Sequence, residues 1–93
     1  MKEILLITTK GCEGCNVMKH IIEQALIATK VKGIKFRDVE RKAFLREDRD
    51  FYNSLKLRDF PTIIFKKDGV LTRKEVGTRP LIVVLRWIDI DFK

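Results

Sequence analysis

Four apolar residues in succession, Ile4-Leu5-Leu6-Ile7, stand between polar flanks near the start of the chain. A run without alternation suits a strand covered on both faces, so Lys2 to Thr8 is predicted to be a central strand of a sheet. Thr9-Lys10-Gly11 breaks the run. From Cys15 onward, apolar pairs recur four residues apart at Val17/Met18, Ile21/Ile22 and Ala25/Leu26, which is the spacing of an amphipathic helix. Asn16, Lys19, His20, Glu23 and Gln24 fall on its polar face, and Gly33 lies beyond its end. Ile34 and Phe36 then alternate with Lys35 and Arg37 and lead to Val39, the pattern of a second strand. A long helix between two strands implies that they run parallel, with a right-handed crossover.

Phe44, Leu45, Phe51, Tyr52 and Leu55, set among charges, predict a second helix, best supported from Asp48 to Leu55. Phe60-Pro61 ends it, because the residue before a proline is driven out of the helical region. Thr62 to Lys66 is β-branched and aromatic, Lys67-Asp68-Gly69 is a turn, and Val70 to Val76 reads as the return strand of a hairpin. Gly77 breaks that strand. Pro80 then opens a last helix predicted to turn Leu81, Val84, Leu85 and Ile88 inward. The order is β-α-β-α-β-β-α, an α/β chain with a central mixed sheet flanked by helices.

At 93 residues with 45% hydrophobic content, the chain suffices for one core and not for two, so residues 1–93 are expected to form a single domain. The apolar run near Met1 is too short for the core of a secretory signal, and no other run approaches the roughly 20 residues that span a bilayer. A soluble protein of the cytoplasm, without a membrane partner, is the expectation. Lys and Arg number 20 against 13 Asp and Glu, a net charge of +7. Between Lys30 and Arg49, however, basic residues are interleaved with Asp38, Glu40, Glu47 and Asp48. That is a mixed, solvated surface rather than a track for phosphates, so nucleic acid is not the expected partner.

The candidate chemistry lies where the first strand turns into the first helix. Cys12 and Cys15 are the two cysteines of the chain, too few for the disulfide framework of a small secreted fold. Gly11, Glu13, Gly14 and Asn16 surround them with loop-type residues, which argues against two buried cysteines acting as small hydrophobes. A structural zinc site usually needs four ligands, and His20 is the one histidine, so no metal is expected. A thiol at a helix N-terminus faces unpaired N–H groups and the positive end of the dipole, which can lower its pKa from about 8.5 into the range of roughly 3.5 to 7.5. Cys12 is therefore the expected nucleophile and Cys15 the resolving thiol, with Lys10 and Glu13 as charged neighbours able to modulate them.

Two segments carry a resemblance to a known family: Gly11-Cys12-Glu13-Gly14-Cys15, and Leu57-Arg58-Asp59-Phe60-Pro61-Thr62-Ile63-Ile64-Phe65-Lys66-Lys67-Asp68-Gly69. They resemble the thioredoxin superfamily, and the likeness extends over almost the whole chain to Val76-Gly77. The layout, which begins directly with the strand leading to the cysteines, looks like that of a glutaredoxin. The resemblance implies a thioredoxin fold and a cis peptide before Pro61, whose loop packs beside the cysteines. It implies an extended substrate peptide held at Phe60, Pro61, Thr62 and Gly77, with the Phe60 ring offered to an apolar substrate side chain.

The chain departs from the family in several places. Gly11 replaces an aromatic residue, Gly14 replaces the usual proline, and both changes loosen the turn. Leu6 stands where thioredoxins keep a buried aspartate. Thr78-Arg79-Pro80 replaces the acidic glutathione-binding motif of glutaredoxins, so glutathione is not indicated and no cofactor is expected beyond the cysteine pair. The expected function is thiol–disulfide exchange on protein substrates, with a reductase or a thiol pool as electron donor. The competing expectation is a non-catalytic interaction module that binds a partner through the Pro61 loop or the basic surface.

Overall fold

The computed structural model describes all residues from Met1 to Lys93. Strand β1 (Lys2–Thr8) leads through the cysteine turn into helix α1 (Glu13–Ala28), followed by strand β2 (Ile34–Glu40). Two short helices, α2 (Arg41–Glu47) and α3 (Arg49–Leu55), precede the hairpin of β3 (Thr62–Lys67) and β4 (Val70–Val76), and α4 (Leu81–Phe92) closes the chain. The sheet order is β2-β1-β3-β4. β1 pairs parallel with β2 and antiparallel with β3, and β3 pairs antiparallel with β4 with an irregularity in register between Phe65 and Lys66.

The unbroken apolar run of β1 is explained by its central place. Ile4 and Leu6 enter one apolar cluster with Met18, Ile22, Ala25, Ile63, Phe65, Val84 and Ile88, under α1 and α4. Leu5 and Ile7 enter a second cluster on the opposite face, with Val39, Phe44, Leu55 and Ile64, under α2 and α3. Successive residues of one strand thus feed two cores, as the two-residue repeat of a strand requires. This sandwich fixes the end of β1, and with it the start of α1, where the cysteines sit.

Two expectations are corrected. The middle helical segment is two helices, because Asp48 serves both: its N–H donates to the Phe44 carbonyl at 3.0 Å and its carboxylate accepts from the Phe51 N–H at 3.2 Å. Glu40 caps the first of them through the Lys42 N–H at 2.8 Å. In α4, Leu81 is exposed and Leu85 half-buried, whereas Trp87 and Phe92 are buried beside Val84 and Ile88. Aromatic packing turns the helix this way. The Phe65 ring stacks on Phe92 at 5.1 Å and meets the edge of Trp87 at 6.2 Å, burying more apolar area than Leu81 would.

Candidate active site

Gly11 makes the turn from β1 into α1 with φ +72°, a left-handed conformation that glycine adopts without a Cβ penalty. Cys12 follows as the N-cap of α1, and its Sγ accepts a hydrogen bond from the Cys15 N–H at 3.0 Å. Cys12 and Cys15 are joined as a disulfide, with their Cα atoms 5.3 Å apart. Their surroundings differ. Cys12 is half-buried, while Cys15, inside the first turn, is 4% exposed. An N–H aimed at the Cys12 sulfur, together with the open end of a helix of 16 residues, stabilises negative charge there when the bridge is reduced.

The remaining expected residues converge from three segments. Pro61 is buried, and the Phe60–Pro61 peptide is cis. The Pro61 carbonyl accepts from the Gly77 N–H at 2.8 Å, which extends the β3–β4 ladder to the cysteine end of the sheet. Gly14 is the contact point. A Cβ on it would stand 3.3 Å from the Thr78 Cγ2 and 3.5 Å from the Pro61 Cδ. The Arg79 N–H donates to the Met18 Sδ at 3.4 Å, tying the segment after Gly77 to α1.

Other expected residues stand differently. The Phe60 ring is half-buried against the second apolar cluster, so it leans on the chain's own core. Thr62 is fully buried and its hydroxyl donates to the Asp59 carbonyl at 2.8 Å. Lys10 and Glu13 are exposed, and of the two only Glu13 lines the pocket beside the cysteines.

That pocket, about 370 Å³, opens on the β2 side of the cysteine pair and is lined by Thr8, Thr9, Asn16, Lys19 and Asp38 as well as Glu13, Gly11 and the cysteines themselves. Lys19 Nζ lies 3.5 Å from Asp38 Oδ2, with both side chains nearly half exposed. Sequence reasoning missed these residues. Lys19 was detectable, since it follows Cys15 by one helical turn and shares its face. Asp38 was not, because its place follows from the β1–β2 register, which sets it beside Leu6.

No protein-family model matches this chain, and no curated protein sequence does. Solved structures do. Thioredoxin from Aeropyrum pernix is 22% identical, with 98% of this chain and 75% of that one covered at a TM-score of 0.74. A mutant thioredoxin from Halobacterium salinarum is 14% identical, with 99% and 75% covered at 0.76. A structure described as that of a malarial protein is 15% identical, with 100% and 99% covered at 0.75. The chain has the thioredoxin fold, and the cysteine pair stands at its β1–α1 turn.

Proposed function

We propose that this protein is a thiol–disulfide oxidoreductase that reduces or exchanges disulfides in protein substrates. The observation that carries the reading is the asymmetry of the pair: a reachable Cys12 sulfur that accepts an N–H at the helix start, bonded to a Cys15 that is almost wholly enclosed. In the reduced form the Cys12 thiolate attacks one sulfur of a substrate disulfide and releases the other as a thiolate. Cys15 then gives up its proton and attacks the Cys12 sulfur. The Cys12–Cys15 bond forms, the mixed disulfide breaks, and the substrate leaves as two thiolates that carry two electrons and take up their protons from solvent. The proton of Cys15 departs toward the polar pocket, since Leu6 is fully buried in the apolar cluster and offers no acceptor.

A substrate strand lies along the Pro61 and Gly77 backbone, the segments packed closest to Gly14. A reductase or a cytoplasmic thiol pool returns the electrons. The test is reduction of insulin by a thiol donor. The wild type should accelerate it well above the donor alone, Cys12→Ser should abolish the acceleration, and Cys15→Ser should accumulate a mixed disulfide visible by mass spectrometry. A wild type no faster than the donor overturns the proposal in favour of a binding module.

A further inference from the structure

The pocket beside the cysteines is not needed for a protein substrate that lies along Pro61 and Gly77, since it opens on the other flank of the pair, toward β2. Its volume of about 370 Å³ falls within the range of roughly 300–1,000 Å³ seen for small-molecule sites. Its chemistry is unusual for such a site. Apart from the two sulfurs and Gly11, the wall consists of two threonines, an asparagine, and the charged Glu13, Lys19 and Asp38. One cation and two anions stand around a redox-active bridge, in a wall that is more polar than apolar.

From this arrangement we infer that the pocket is a substrate site for a small disulfide of an α-amino acid, of the kind represented by cystine. The inference rests on the redox reading above. A half-cystine carries a cation and an anion on the carbon next to its CH₂–S, so an occupant whose sulfur reaches Cys12 brings both charges into the same small volume. Lys19 receives the carboxylate and Asp38 the ammonium, with Glu13 at the mouth reinforcing the second. The Lys19–Asp38 pair itself is an exposed contact at 3.5 Å, of the kind that adds little to stability. It therefore opens at little cost to exchange one partner each with the ligand, and the threonine and asparagine side chains supply further donors and acceptors. The reaction balances without another reagent: protein dithiol and cystine give protein disulfide and two molecules of cysteine.

The test compares oxidation of the reduced protein by four disulfides in stopped flow. They are cystine, cystamine without the carboxylates, dithiodipropionate without the ammoniums, and hydroxyethyl disulfide without either. Each rate is divided by that of dithiothreitol with the same compound, which removes intrinsic reactivity. The normalised rate for cystine should exceed that for hydroxyethyl disulfide at least tenfold, with both singly charged compounds well below cystine. Lys19→Met should bring cystine down to the level of cystamine, and Asp38→Asn should bring it down to that of dithiodipropionate. Glutathione disulfide, whose cysteine nitrogens and carboxyls are amides, should show no gain. Equal normalised rates across the series would overturn the inference while leaving the oxidoreductase intact. No reaction with any of them would instead sink the redox reading on which it rests.

Discussion

Gly14 shows how one absent side chain shapes the site. A Cβ there meets Thr78 and Pro61 at 3.3 and 3.5 Å, so an alanine asks for a shift of a few tenths of an ångström, and a branched residue asks for more than the buried Pro61 can give. Gly14→Val should therefore push the Pro61 and Thr78 segments away from the cysteines, lowering the rate of insulin reduction severalfold and stability by about 1–3 kcal/mol, the usual cost of overpacking. Unchanged rates together with an unchanged urea midpoint would show that the three segments need not touch. In the sequence, Gly14 reads only as a looser turn than the proline of the resembled family. Its role as a contact point requires two segments far along the chain, at Pro61 and Thr78, which no local pattern reveals. Cys12 and Cys15 were legible because the strand-to-helix change in periodicity falls between Thr8 and Cys15, and that change alone places them at a helix start.

At the scale of elements, the strands are legible in the sequence because their signals are strong and local: the apolar run of β1, the alternation of β2, the turn residues between β3 and β4. The helices are less legible where their positions depend on partners. Asp48 is both an end and a beginning, a role that a search for one periodic segment merges into one helix. The inward face of α4 is set by Phe65, and also by a bracket that no periodicity shows. Arg73 on β4 donates to both oxygens of Asp91 on α4, at 2.9 and 3.2 Å, and to Glu75 at 3.2 Å, while its guanidinium lies over Trp87 at 5.1 Å. Asp91 holds the Arg73 guanidinium above its already high ordinary pKa, so Arg73 keeps its positive charge in this bracket. Arg73→Met would leave a carboxylate that is 7% exposed without its cation. Urea denaturation should show a loss of about 1.5–3 kcal/mol, as expected for a hydrogen bond to a charged group. A loss under about 0.5 kcal/mol would mean that aromatic packing alone docks the helix.

For the whole molecule, the sheet has two open margins, because the order β2-β1-β3-β4 leaves β2 and β4 each with one neighbour. Unpaired N–H and carbonyl groups along such margins are templates for another chain. The irregular register at Phe65 and Lys66 twists one margin, and Arg73, Lys74 and Glu75 occupy the second half of β4. On β2, Lys35 and Arg37 interrupt what would otherwise be a continuous β-prone run, with Arg37 held by Glu47 of α2. Lys35 and Arg37 are thus placed where charge disfavours edge-to-edge pairing of two copies. Replacing both residues, Lys35→Val with Arg37→Val, creates Ile-Val-Phe-Val at an open margin, the composition of fibril-forming segments. Light scattering at high concentration should rise over hours in that variant and stay flat in the wild type, while equal scattering would assign colloidal stability to net charge alone. The crowding at which this protein can be stored or expressed then depends on two side chains, Lys35 and Arg37, that stand outside the pocket beside the cysteines.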